Sequence, residues 1–265
     1  MTNKKESVVW VTGASSGIGK AMAFESARLG YKVVLSARRQ ERLEAIALEI
    51  RNAGGEALVV PLDIMEEASI TMAVQRIISA WGRLDIAVAN AGFGVFGSIA
   101  NLTAKDWNRQ LQGNVIGLAL TVKYALPYLK QNQGRIALLG SVGAYLPNPH
   151  VGAYGASKAA VHSIGLTLQV ELKDTGVSCT TIHPGFVESE IARIDNEGVW
   201  HPERSDPRPS KLMWPTDKAA KVMVKAIIKR KRTYIFTTHG RVFVWLQRWF
   251  PSLVRTIVAK GPKPE

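Results

Sequence analysis

The amino-acid sequence predicts a doubly wound α/β fold, with one parallel sheet of about seven strands covered by helices on both faces. Three observations carry that expectation. Short β-branched runs, apolar throughout, alternate with longer stretches of helical spacing. Glycines fall where several of those helical stretches must stop. No internal repeat and no low-complexity linker breaks the alternation before residue 198. A strand apolar at every position is covered on both faces, which is the condition of a parallel sheet, and strands joined through helices form right-handed crossovers on it.

Taken in order, VVWVT (8–12) reads as the first strand and a glycine-rich turn opens a helix over 19–29. YKVVLSA (31–37) is the second strand, followed by a helix over 39–52 that Gly54 and Gly55 close. EALVVPL (56–62) leads to a helix over 66–81 ended by Gly82, and RLDIAVAN (83–90) to one long helix over 104–130 before Gly134. GRIALLG (134–140) is the fifth strand, 154–175 the next helix, closed by Gly176, and VSCTTIHP (177–184) the sixth strand. The stretch 198–215, with four prolines among charged residues, reads as a mobile loop.

A chain of 265 residues, 46% hydrophobic and 21% charged, is long enough to bury one large core, so one domain is expected. Its single cysteine, Cys179, excludes an internal disulfide framework and lies in an apolar run, as an inert core thiol would; a reducing, cytoplasmic setting is expected. The start, MTNKKESVVW, lacks the apolar core of a signal peptide, and no stretch reaches the roughly 20 apolar residues of a spanning helix. His150, His162, His183, His201 and His239 show no metal-ligand spacing, so no metal is expected. The charge is uneven: 34 Lys and Arg against 21 Asp and Glu give +13, and residues 218–260 hold eleven basic residues and no acidic one.

The first strand runs into Thr12-Gly13-Ala14-Ser15-Ser16-Gly17-Ile18-Gly19, where glycines permit a tight turn and leave phosphates facing amides at a positive helix end. Asn90-Ala91-Gly92 follows the fourth strand, and Asp63-Ile64 the third. Tyr154 and Lys158 form a YxxxK pair, with Ser141 thirteen residues upstream and Asn114 twenty-seven further back. At i and i+4 on a helix the phenol and the ammonium share a face, and a cation there favours phenolate and brings the group toward a working pH. Ser141 is placed to hydrogen-bond the oxygen on which charge develops as a hydride reaches a carbonyl carbon.

In these motifs the chain resembles the short-chain dehydrogenase/reductase family, with its TGxxxGxG turn, NAG segment and Ser, Tyr, Lys set, over about residues 7–190. The resemblance implies a Rossmann-type catalytic domain over 1–239, including a substrate loop at about 188–215, followed by a basic amphipathic extension over 240–265. It implies Ser141, Tyr154, Lys158 and Asn114 as the catalytic set, with Asn114 holding backbone and a water that relays protons to the lysine. It implies dinucleotide contacts from Gly13, Ser15, Ser16, Gly17, Ile18, Gly19, Asn90, Ala91, Gly92, Tyr154 and Lys158, and from Asp63 to the adenine amine with Ile64 beside it. Taken alone, Asp63 is equally a helix cap. Pro184, Gly185, Val187 and Ser189 match the turn near the nicotinamide, Ser189 standing where the family often has threonine. At the end of the second strand Arg38 and Arg39 stand where an acid would mark NAD, so NADP(H) is the cofactor expected.

The resulting expectation is an NADPH-dependent oxidoreductase that interconverts a carbonyl and an alcohol, with Tyr154 as general acid or base. The resemblance places residues 93–96, 144–150 and 188–215 around the reacting carbon, and Val95, Phe96, Val142, Tyr145 and Leu146 point to an apolar substrate. A homo-oligomer, dimer or tetramer, is expected. Two other readings stand beside this one: a redox-inactive NADP sensor, whose usual sign is a broken Tyr, Lys and Ser set, and nucleic-acid binding through the tail. Against the latter, Val242, Trp245, Leu246 and Trp249 share a helical face. Residues 240–260 should form one or two short amphipathic helices, interrupted near Pro251, that dock on a membrane surface, on the rim of the substrate pocket, on a second subunit, or on their own domain.

Overall fold

The computed structural model describes residues 4–259; residues 1–3 of the expected domain and 260–265 of the expected extension lie outside the described residues. Seven strands, β1 (Val8–Thr12), β2 (Lys32–Ser36), β3 (Ala57–Val59), β4 (Ile86–Ala89), β5 (Arg135–Leu139), β6 (Ser178–Ile182) and β7 (Thr233–Tyr234), form one sheet in the order β3-β2-β1-β4-β5-β6-β7. Every pairing is parallel. The chain builds outward from β1 to one side, then returns beside β1 and builds outward to the other. The order therefore reverses between β1 and β4, and a crevice opens there at the strands' carboxyl ends.

Unbroken apolar strands have a direct cause. Every residue of β1 is buried, with Val9 and Val11 in one core and Val8 and Trp10 in the other. The first core is filled from α1 (Gly17–Arg28), α2 (Gln40–Asn52) and, late in the chain, α7 (Thr216–Ile228). The second is filled from α3 (Glu67–Trp81), α5 (Leu118–Gln131) and α6 (Gly152–Glu171). Gly82, at φ 68°, closes α3 by donating from its N–H to the Ile78 carbonyl, 2.8 Å away.

The single helix expected over 104–130 is instead α4 (Ala104–Leu111), a π-helical turn (Gln112–Gly117) and α5. Packing explains the interruption. A Cβ on Gly117 would stand 2.3 Å from the Ile64 carbonyl oxygen, and one on Gly113 would stand 2.5 Å from the Phe93 ring. Neither contact has a period that a single sequence displays, and wide turns of this kind recur at functional sites. The stretch 198–215 is also less open than its prolines imply. A parallel bridge joins Val187 to Trp214, an antiparallel one joins Ile194 to Trp200, and Arg208 pairs with Asp206 at 2.6 Å. The described residues end in α8 (Thr238–Trp249) and α9 (Pro251–Ala259), which part at Phe250, with Pro251 in the first helical position that its missing N–H suits.

Ile136, fully buried in β5 within the second core, gives the fold a test. Ile136→Ala should cost about 2–5 kcal/mol in urea unfolding, by lost transfer energy and a residual cavity. Leu48→Ala, at an exposed position of α2, should change stability by about 0.5 kcal/mol or less.

Candidate active site

The site is built on two backbones that approach without side chains between them. Gly13 turns the chain out of β1 at φ 69°, and a Cβ there would stand 2.8 Å from the Cα of Ala91. On Gly19 a Cβ would lie 2.2 Å from the Gly13 carbonyl oxygen. Thr12 completes the junction. Its hydroxyl donates to the Val88 carbonyl at 3.2 Å and accepts from the N–H groups of Asn90 and Ala91, each at 3.0 Å, which fills its bonding capacity. Ser16 caps α1 in an extended conformation but makes no side-chain cap hydrogen bond, so no side chain covers the first-turn amides.

Along this edge one cleft is lined by Gly13, Ser16, Gly17, Ile18 and Gly19 from the turn, by Asn90, Ala91 and Gly92 after β4, and by Ser141, Tyr154 and Lys158. Pro184, Gly185, Val187 and Ser189, after β6, form its other wall. Tyr154 and Lys158 ride the start of α6, with the ammonium 5.7 Å from the centre of the phenol ring. Ser141 ends the segment after β5, where its Oγ accepts from the Gly143 N–H at 3.0 Å. Lys158, buried, donates to the Leu139 carbonyl at 2.8 Å, and burial pushes its ammonium down to about 8. Burial raises the Tyr154 phenol above its ordinary range, while the Ser141 hydrogen bond and the Arg208 charge pull it back. The lysine was expected to set this phenol; in this cleft burial dominates both groups.

Asn114 sits in the π turn, outside the cleft wall, and acts on backbone. Its Oδ1 accepts from the Phe93 N–H at 3.0 Å, and its Nδ2 donates to the Phe93 carbonyl at 2.9 Å and to Ser157 Oγ at 3.1 Å. Ser157 in turn donates to the Tyr154 carbonyl at 2.7 Å. Asp63 and Ile64 are not among the residues that line the cleft: the Asp63 carboxylate accepts from the Met65 N–H at 2.9 Å, as a turn cap does, and Ile64 is buried against the π turn. Arg38 is exposed. Arg39 reaches the turn, donating to Ser15 Oγ at 3.1 Å and to Ser16 Oγ at 3.0 Å.

Three features of the site have no signature in the sequence. No acid adjoins Arg39 in the sequence, yet Glu190 reaches it from 151 positions away at 3.1 Å and pairs with Arg42 at 3.0 Å. Burial alone would raise the Glu190 carboxyl, but the two guanidinium groups hold it below its ordinary value. Arg208 donates to the Val187 carbonyl at 3.0 Å and to Ser189 Oγ at 3.1 Å, tying the proline-rich stretch to the cleft. Thirdly, a chain of rings backs Ser141. His183 Nδ1 stands 3.0 Å from the Ser141 carbonyl oxygen and so carries the hydrogen; its Nε2 then accepts from the Tyr145 hydroxyl at 3.2 Å, and that oxygen accepts from His162 at 3.2 Å.

The apolar lining differs from expectation in its members. Val95 is fully buried, and Tyr145 and Leu146 line a neighbouring groove with α9. Phe93, Ile191 and Ile194 line the cleft instead, and the Phe96 ring lies 6.0 Å from Tyr154. Among the described residues no group of His, Cys, Asp and Glu is placed to hold a metal ion.

The short chain dehydrogenase family model matches residues 7–199. The 11-beta-hydroxysteroid dehydrogenase A of Sesamum indicum is 32% identical over 260 residues, covering 94% of this chain and 74% of its own. Among solved structures, a short chain dehydrogenase/reductase from Burkholderia phymatum in complex with NAD has a TM-score of 0.84 at 27% identity, covering 100% of this chain and 99% of its own. An alcohol dehydrogenase from the archaeon Thermococcus sibiricus, complexed with 5-hydroxy-NADP, has a TM-score of 0.76 at 27% identity over 88% of this chain and 97% of its own. The chain belongs to the short chain dehydrogenase family and is an oxidoreductase of that class.

The buried ring chain carries a prediction about acid. Burial pushes His183 down to about 4, against about 6.5 in an unfolded chain. The unfolded state takes up this proton first as pH falls, so the stabilisation is complete above about pH 6.5 and is lost on the way down to about 4. The amount is on the order of 3 kcal/mol. His162 and His239, also lowered by burial, act in the same sense. Urea unfolding between pH 7 and 4 should show this loss, and His183→Gln should lose less over the same range; equal losses would remove His183 as the source.

Proposed function

We propose that this oxidoreductase reduces a carbonyl to an alcohol, or runs the reverse reaction, with NADP(H) as cofactor and an apolar substrate. The observation that carries the reading is the meeting of Ser141, Tyr154 and Lys158 in the cleft that the glycine turn also enters. The turn fits a dinucleotide: side chains on Gly13 or Gly19 would force the turn away from the backbone it packs against, and the amides at the start of α1 have no side-chain cap. When bound, the nicotinamide supplies or accepts the hydride.

The chain's own groups manage the proton. Ser141 Oγ accepts from the Gly143 N–H and its hydroxyl hydrogen-bonds the Tyr154 phenol, so a carbonyl oxygen seated between the two hydroxyls would take both as donors where negative charge develops. Tyr154, held in its phenol form by burial, is a donor ready for that oxygen in reduction. In oxidation it must first lose its proton, which the Ser141 hydrogen bond and the Arg208 charge assist. Asn114 positions this pair by fixing Phe93 and, through Ser157, the Tyr154 carbonyl. Phe93, Ile191 and Ile194 on the cleft favour an apolar substrate, in keeping with the hydroxysteroid named for the Sesamum relative. We further take the chain to assemble as a dimer or tetramer, since α6 leaves Leu166 and Val170 exposed.

Tyr154→Phe removes the proposed proton donor with little change in packing. Turnover of any carbonyl that the parent reduces should fall about 100-fold or more, with dinucleotide binding preserved, in an assay of NADPH absorbance across a carbonyl panel. Retention of more than a few per cent of activity would mean that another acid operates, and a parent inert across the panel would favour the sensor reading.

The solved relatives hold either NAD or an NADP derivative, so the choice of cofactor rests on Arg38 and Arg39. Guanidinium groups favour a 2′-phosphate through charge-assisted hydrogen bonds. Fluorescence titration should give tighter binding of NADPH than of NADH. The double variant Arg38→Ala, Arg39→Ala should lose about 10-fold or more of the NADPH affinity alone. Equal affinities in the parent would reject the assignment.

A further inference from the structure

We propose that the outer faces of α8 and α9 form a docking surface for an anionic lipid bilayer. Sixteen large apolar side chains are exposed among the described residues, and seven of them, Val242, Phe243, Trp245, Trp249, Phe250, Leu253 and Ile257, lie on these two short helices or at their junction. Scattered singly, such residues need no explanation; gathered on one element, they mark an interaction surface.

Packing on the parent domain does not account for them, because that packing is already made by other residues. His239 Nε2 accepts from the Phe186 N–H at 3.1 Å, and its ring stacks on Phe186 at 5.2 Å. Gly240 is buried, close enough to Val142 that a Cβ would stand 2.8 Å from its Cγ1, and Val254 is buried in α9. The helices are thus seated on the domain by one side while the aromatic side is left out.

Charge selects the occupant. Arg241, Arg248 and Arg255 are the only charged residues on α8 and α9, and among the described residues no acid pairs with any of them. A twofold contact with a second copy would set like against like and bring these arginines together unpaired. A surface of lipid phosphates and carboxylates pairs with all three, while the indole rings suit the boundary between headgroups and acyl chains. At 12 and 9 residues the helices are far shorter than the roughly 20 needed to span, so they lie in the plane of the interface.

The test is co-sedimentation of the full chain with phosphatidylcholine vesicles, with and without phosphatidylserine. It needs no substrate, so its outcome stands apart from the catalytic reading. The parent should pellet with the anionic vesicles at about 0.05 M salt and be released at about 0.5 M, as the Debye length shortens. Arg241→Gln, Arg248→Gln, Arg255→Gln together should lower partitioning about 100-fold, at about fivefold per arginine. Trp245→Ser, Trp249→Ser, Phe250→Ser together should abolish it, with the thermal midpoint of these exposed positions little changed. Absence of binding at low salt, equal binding to neutral vesicles, or undiminished binding by the aromatic variant would each overturn the proposal. A parent that ignores vesicles but elutes as an oligomer that the aromatic variant breaks would assign the face to a second copy.

Discussion

The edge that carries the candidate site depends on one steric constraint: the turn after β1 must lie against the loop after β4 with no side chain between them. Gly13 and Gly19 meet that constraint, and Thr12 locks it with three hydrogen bonds from one hydroxyl. The parallel sheet makes the contact useful. Because β1, β4, β5 and β6 run the same way, their carboxyl ends deliver the turn, Asn90, Ser141 and Pro184 to one edge at the point where strand order reverses. The fold brings the parts together, and the missing side chains let them touch.

Burial then sets the chemistry of what has been assembled. Lys158 is buried and Tyr154 half-buried in the same cleft, and both are pushed toward their neutral forms. A neutral phenol donates a proton without prior loss of charge, and a lysine near 8 changes charge within reach of ordinary pH. Behind Ser141, the neutral His183 plays a quieter part, holding the serine's carbonyl and not its hydroxyl. Rigid backing of this kind is what fixes a reacting group to within a fraction of an ångström.

Much of this was legible in the chain because it repeats a local pattern. Six strands follow from unbroken apolar runs, and the cleft residues from a glycine turn, a Tyr and Lys at helical spacing, and short segments after strands. What was not legible has no local period. β7 is two residues long and pairs only with β6, so no window of alternation reveals it. The π turn arises because distant groups, the Ile64 carbonyl and the Phe93 ring, press on Gly117 and Gly113. The Glu190 contact with Arg39 joins positions 151 apart, and of the residues apolar enough for a lining Val95 turns into the protein while Tyr145 lines the neighbouring groove.

The Glu190 contact has a thermodynamic consequence. The carboxylate occupies the guanidinium groups of Arg39 and Arg42 while belonging to the segment that carries Ile191 and Ile194 on the cleft. Any anion that takes those two arginines must first break the ion pairs, and its apparent affinity is reduced by whatever free energy they hold. Linkage makes the debt mutual. The same free energy measures how far an anion on the arginines loosens the tie on the segment beyond Glu190, and how far anything that tightens that segment in its present place opposes the anion. Two ends of the cleft, one polar and one apolar, are thereby joined through a single competitive equilibrium rather than through a rigid connection.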